Sequence, residues 1–461
     1  AEGAFSQAFV PVIAEFRATR SAEESQALIA KVAGTLAATL FVVSLIGVLA
    51  APVLVLIFGT GFATEGGPAD LATAMLRFTF PYIFFISLTA MAGSVLNTYG
   101  RFAVPAFTPV LLNVVLIAAA IWLAPRLEEP TLALAIGVFL AGVVQLLFQL
   151  PFLLRAGLLP RPRLGFADKA VRRILKLMLP IMFGSSVAQL NILFDTWIAT
   201  FLTAGSISWL YYSDRLVEFP LGVFGIAIAT VILPMLSAHH ARESGESFSA
   251  TIDWALRSVL LIGLPAAVAL YILAEPLLAT LFFGGEFLSS DVTMAGASLK
   301  AFAPGLLGFI TVKILVPGYF SRQDSKTPVK IGVKALLLGM VLNVIFVLTL
   351  LQTGWAPAHV GLAAATTLSS LSNATMLYFG LRRAGVYRPG PGWVGLLLRV
   401  GLATIAMGGF LVWLSLAAGD WIGLAWTARI GWLSTAVFGG AAVYFGAGWL
   451  AGLRSSQFRM R

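Results

Sequence analysis

The chain has 461 residues, 59% hydrophobic and 11% charged, against roughly 45–50% apolar and 25% charged residues in an ordinary soluble domain. That balance excludes a water-soluble globule, and the absence of cysteine excludes disulfide frameworks, thiolate metal sites and cysteine nucleophiles. The net charge of +10 admits nucleic acid as a partner only until the position of the basic residues is read.

Uncharged stretches such as the one between Lys334 and Arg382 exceed the roughly 18 residues that mark a transmembrane helix. The fold class expected is therefore all-α, a polytopic membrane protein. Apolar runs set against turn and charge punctuation predict helices near 33–58, 72–97, 104–124, 131–155, 171–203, 206–237, 250–283, 290–320, 327–352, 358–383, 392–418 and 427–452. Residues 1–17 are apolar up to a charged loop but too short to cross about 30 Å of hydrocarbon, so they read as the end of another span. They lack the basic n-region of a signal peptide.

Assigning loops alternately to the two sides puts 24 of the 30 lysines and arginines on one side, in the loops around 17–31, 101, 155–176, 242–257, 322–334 and 382–399 and in the tail 454–461. Arg77, Arg126, Lys300 and Arg429 fall on the other side, and Arg215 and Lys313 inside spans. The positive-inside rule makes the first side, with the C-terminus, cytoplasmic. The charge is then topological, and nucleic-acid binding is not expected.

Prolines repeat along the chain. Pro11 and Pro234, Pro81 and Pro304, and Pro105 and Pro328 are each 223 residues apart, and the strings LAAPVLVLIFGTGF and LAEPLLATLFFGGEF align at a spacing of 224. Two homologous halves follow. An even number of spans separates equivalent positions, so the repeats are parallel, an arrangement used by transporters with a central substrate site. The expected domains are an N-lobe 1–157, a cytoplasmic linker 158–170, a C-lobe 171–388, and a helical hairpin and tail 389–461. The first-half equivalents of residues 170–223 would precede Ala1, so about one helix and most of a second are expected to be missing from the first lobe.

Charges within spans cost a few kcal/mol or more unless they face protein or water. The densest group is SDRLVEFP, Ser213–Pro220. Asp214 and Glu218 lie four apart and Arg215 three from Glu218, spacings that share a helical face and allow a local ion pair. The group is either a buried structural network or a polar wall facing a cavity, with Arg215 offering its planar fork to anionic oxygens. Lys313, mid-span among glycines and prolines, either snorkels to the interface or joins the cavity. Arg322, Asp324 and Lys326, with Arg101 as first-half counterpart, form a cytoplasmic loop or gate. Asp195 stands alone in its span, and is protonated, paired across helices, or a cation ligand with Asn343. The histidines His239, His240 and His359 are too scattered for a metal site, and Trp393, Trp421 and Trp426 are interfacial anchors.

The segments AEGAFSQAFVP (Ala1–Pro11), SISWLYYSDRLVEFPLGVFGIAIATVILP (Ser206–Pro234) and VPGYFSRQDSKTPVKI (Val316–Ile331) resemble signature segments of the MurJ (MviN) family of bacterial lipid II flippases. The likeness runs from end to end. It implies fourteen helices in full-length members, two six-helix lobes around a cationic cavity, and an extra hairpin forming a groove for a lipid tail. It implies movement of the undecaprenyl-pyrophosphate-linked peptidoglycan precursor across the bacterial inner membrane by alternating access, without enzymatic chemistry. Glu2, Ser208, Asp214, Arg215 and Glu218 stand at cavity positions of the family. Asp195 and Asn343 match part of a sodium site found in some members, but Val347 replaces its second acid. No cofactor is expected other than sodium, and the partners implied are lipid II, membrane lipids and cell-wall synthesis proteins. No Walker A string occurs, which argues against direct use of ATP. The competing readings are a related exporter of drugs or polysaccharide lipids, and a membrane enzyme using Asp214 and Glu218 as an acid–base pair.

Overall fold

The computed structural model describes residues 2–61, 68–228, 231, 232, 234–236 and 244–454, and among them the regular structure is helical, apart from one isolated bridge between Gly284 and Phe287. In chain order the helices are α1 (Glu2–Thr19), α2 (Ala22–Phe58), α3 (Pro68–Thr79), α4 (Tyr82–Thr98), α5 (Ala103–Ala118), α6 (Leu132–Arg155), α7 (Lys169–Ala199) and α8 (Ser206–Pro220). They continue as α9 (Gly245–Ile272), α10 (Ala274–Leu281), α11 (Ser289–Phe302), α12 (Gly305–Phe320), α13 (Lys326–Thr353), α14 (Val360–Arg383), α15 (Trp393–Ala418) and α16 (Trp426–Leu450).

Eight helices among the described residues are long and apolar enough to cross a membrane, nine when α11 and α12, bent by 45°, count as one broken span. The sequence predicts twelve. The shortfall falls on α7, α8 and α14. In α14 the reason is physical: Thr367 donates to the Ala301 carbonyl at 2.8 Å, Ser369 to Ala335 at 2.7 Å and Ser370 to Gly305 at 3.3 Å. A helix whose hydroxyls reach carbonyls of packed neighbours needs no continuous apolar surface. At Gly308 a Cβ would lie 2.6 Å from Ser370 Oγ, so glycine permits the close approach of α12 to α14. Elsewhere large apolar side chains such as Leu49, Ile121, Leu348 and Ile405 stand exposed, the surface that lipid covers.

Two compact units divide the chain, Ala1–Leu193 and Phe194–Arg461. In the first, a capping box starts α2: Glu24 N–H donates to Ser21 Oγ at 3.2 Å, and Ser21 N–H to the Glu24 carboxylate at 3.1 Å. Phe5, Phe9, Val12 and Ile13 of α1 pack with Leu28, Ile29 and Val32 of α2 and with Leu158, Val171 and Ile174. The segment between α6 and α7 is strapped to α2. Arg163 N–H donates to the Ala30 carbonyl at 2.9 Å, Gly165 N–H to Thr35 Oγ1 at 3.0 Å, and Lys31 Nζ to Asp168 at 2.7 Å. Gly34 makes room for it, since a Cβ there would sit 2.3 Å from the Arg163 carbonyl oxygen.

In the second unit, α8 to α14 share one core that includes Trp209, Ile252, Leu278, Leu299, Ile314 and Leu377. The terminal hairpin α15–α16 packs on α9 through Leu273, Met407, Leu411 and Tyr444, with Tyr444 donating to the Leu261 carbonyl at 2.6 Å. Its other anchor is Asp253 of α9. One carboxylate oxygen accepts from Tyr387 at 2.8 Å, Gly390 N–H at 3.0 Å and Trp393 Nε1 at 2.8 Å, and the other from Arg257 at 2.6 Å.

Candidate functional site

The charges expected within a span sit on α8, which the sequence turns into a two-faced helix. Gly205, at φ 97°, begins it in the left-handed region that glycine tolerates. Ser206, Trp209, Ser213, Val217 and Pro220 form the buried face. Trp209 Nε1 donates to Asp291 at 2.7 Å, and its ring lies 4.9 Å from that of His359, whose Nε2 is 3.1 Å from the Met294 carbonyl. Ser213 Oγ lies 2.7 Å from the carbonyls of both Trp209 and Ala295. This face is fixed to α11 at two levels.

The opposite face carries Ser208, Tyr211, Arg215 and Glu218, all exposed, at steps of three, four and three residues. Arg215 Nη1 donates to Glu218 at 2.5 Å, with the two side chains 52% and 50% exposed. The guanidinium carbon lies 4.9 Å from the Tyr211 ring centroid, within the range of a cation–π contact. Asp214 is half-buried beside this stripe. After Pro220, which has no N–H to give, the chain continues as a π-helical turn, Leu221–Ile226, a widening common at functional sites.

The expected ion pair between Arg215 and Glu218 is present, and it lies on the exposed face. At membrane depth two charges cannot face acyl chains at tolerable cost, so there the stripe has to meet water or polar groups. Tyr211 is a member that charge-based reading passes over. Its signal is the four-residue spacing from Arg215.

The other candidates are distributed. Lys313 is exposed on α12, three residues after Ile310, against which Gly225 of the π turn packs. Glu2 opens α1, but its side chain lies outside the described residues, as do His239 and His240. Arg101 is exposed after the α4 C-terminus, where Gly100 takes φ 76°. Arg322 and Lys326 flank Asp324, whose carboxylate accepts from Thr327 N–H at 3.0 Å, so this acid closes its own turn. The Thr327 side chain and, after it, that N–H bond hold the Asp324 carboxyl below the usual carboxylate range.

The structure does bring Asp195 and Asn343 together: the amide Nδ2 donates to the carboxylate at 2.5 Å, and Asn343 is buried while its Oδ1 has no partner. By itself the pair makes up only part of a cation shell. It supplies one carboxylate and one amide oxygen, the amide turns its nitrogen to the acid, and Val347 contributes nothing polar one turn further on. No group of three or more His, Asp or Glu suited to a metal occurs among the described residues.

The family described as lipid II flippase MurJ matches residues 1–426. The chain belongs to this family. A Vibrio cholerae protein described as "Probable lipid II flippase MurJ" is 48% identical over 466 residues, covering 100% of this chain and 87% of the relative. Among solved structures, a lipid II flippase MurJ in an inward closed conformation superposes with a TM-score of 0.79 at 24% identity, over 97% of this chain and 88% of that one. An inward-facing multidrug transporter of the MATE family follows at a TM-score of 0.67 and 16% identity, over 84% of this chain and 87% of that one. At these identities the two structures establish the fold alone. Membership in the MurJ family, together with the membrane-spanning helices, makes this a bacterial membrane transporter.

Proposed function

We propose that the protein moves lipid II, the undecaprenyl-pyrophosphate-linked peptidoglycan precursor, from the cytoplasmic to the outer leaflet of the inner membrane by alternating access, with its arginine-rich loops and C-terminus in the cytoplasm. The observation that carries the reading is Arg215 on the exposed polar face of α8 in a chain of the MurJ family.

The physical problem is the headgroup. Its sugars and diphosphate cannot enter hydrocarbon without a prohibitive loss of hydration. A membrane helix with a polar exposed stripe offers a replacement for water. Arg215 presents a fork of donors suited to phosphate oxygens, and Glu218 balances its charge before substrate arrives. As the diphosphate takes over the guanidinium, Glu218 is released to hydroxyl or ammonium groups of the headgroup. Ser208 and Asp214 extend the same stripe toward sugar hydroxyls. An inside-negative potential favours outward movement of an anion by about 2.3 kcal/mol per charge per 100 mV if the whole field is crossed.

The test is transport of lipid II in reconstituted vesicles, read with an impermeant headgroup reagent. Arg215→Ala should slow it by about tenfold or more, the equivalent of one charge-assisted hydrogen bond, with protein incorporation unchanged. An unaltered rate would remove Arg215 from the pathway. Transport of a cationic dye in place of lipid II would point to a drug exporter instead.

A further inference from the structure

Arg215 has a second neighbour besides Glu218. The Tyr211 ring lies under its guanidinium at 4.9 Å, and although Tyr211 is 55% exposed, its position is not loose. Its ring meets Tyr212 edge-on at 5.8 Å, and Tyr212 is wedged against Phe282 at 4.7 Å and Phe287 at 5.0 Å. Phe282 and Phe287 belong to the segment between α10 and α11 and pack on the core of the second unit. A line of contacts thus runs from the core to the outermost ring of the polar stripe.

An arginine three residues from a glutamate on an exposed helical face ordinarily has many rotamers available, and immobilising such a side chain on binding costs affinity. Stacking on an aromatic face removes part of that freedom beforehand. The guanidinium carbon sits over the ring while Nη1 engages Glu218, so the aromatic contact leaves the donor fork in use.

Resting on the lipid II reading above, we infer that Tyr211 is a positioning residue, which holds the Arg215 guanidinium over its ring so that the donor fork can pass from the Glu218 carboxylate to the substrate diphosphate. Tyr211 acts through Arg215 and needs no contact with the lipid. The role belongs to the aromatic ring, so phenylalanine supports it and leucine, of similar bulk, does not.

The experiment measures dissociation constants for lipid II with the purified detergent-solubilised protein, by native mass spectrometry, for wild type, Tyr211→Phe, Tyr211→Leu, Arg215→Ala and the Tyr211→Leu/Arg215→Ala double variant. Tyr211→Leu should weaken binding about two- to fivefold, the range of an exposed cation–π contact, and Tyr211→Phe by less than about twofold. In the Arg215→Ala background Tyr211→Leu should add nothing, because the group it positions is gone. Equal constants for wild type and Tyr211→Leu would overturn the role. So would additive losses in the double variant, which would mean that the ring meets the headgroup directly. Failure of the wild-type protein to bind lipid II would instead overturn the reading of function on which the inference rests. Thermal unfolding of all variants, expected to agree within about 2 °C for so exposed a residue, separates these outcomes from misfolding.

Discussion

Arg215, Asp195 and Asp168 show three ways in which a charged residue persists in an apolar chain. Arg215 stays exposed and carries its own counter-ion. Asp195 meets a buried amide on another helix, a pairing the sequence leaves open, because two residues 148 positions apart come together only through helix packing. Replacing Asp195 with alanine removes the acceptor of that amide and should cost about 1–3 kcal/mol, read by denaturant or thermal unfolding in detergent. Exchanging sodium for potassium should leave wild-type unfolding unchanged. Stabilisation by sodium that Asp195→Ala abolishes would establish a cation site after all. Asp168 sits outside the spans, where the Lys31 ammonium holds its carboxyl below the usual range. The folded-state value lies below the unfolded one, so the contribution to stability is complete above about pH 4 to 5 and is lost as the pH falls through the depressed value. The unfolding temperatures of wild type and Asp168→Asn should differ by a constant amount near neutral pH and converge in acid. A gap that persists at about pH 2.5 would contradict the pairing.

Among the elements, α8 was legible in outline. Its three- and four-residue spacings place Asp214, Arg215 and Glu218 near one another, and the ion pair formed is the one expected. What the spacing does not reveal is which side is anchored. That follows from Trp209 and Ser213 reaching Asp291 and Ala295, partners more than 80 residues away. Span limits show the same division. Long apolar runs such as the one within Lys326–Thr353 lie where their composition puts them, whereas Val360–Arg383 is helical over the expected range but too rich in hydroxyls to pass for a lipid-facing span. The strap on α2 left only a faint mark, the small residue Gly34. Alanine at this position would gain about 1 kcal/mol in helix propensity, but its Cβ would meet backbone, not a movable side chain, at 2.3 Å. Overpacking of that kind costs about 1–3 kcal/mol. Gly34→Ala should therefore lower stability slightly and expose the chain around Arg161 and Arg163 to trypsin. Unchanged cleavage would show that the strap can yield without detaching.

For the whole molecule, composition decided the class and the distribution of lysine and arginine the expected orientation, because both depend on sums over many residues. The family strings name the family to which the chain belongs. Individual contacts did not follow from such sums, and the Asp253 anchor is the plainest instance: nothing in the string FSATIDWALRS announces that its aspartate gathers Tyr387, Gly390 and Trp393. That anchor, together with the Tyr444 bond to the far half of the same helix, joins the terminal hairpin to Gly245–Ile272 at both of its levels. A reporter dye or spin label attached to the hairpin would accordingly record the travel of α9 during a transport cycle, with no independent swing of its own to subtract.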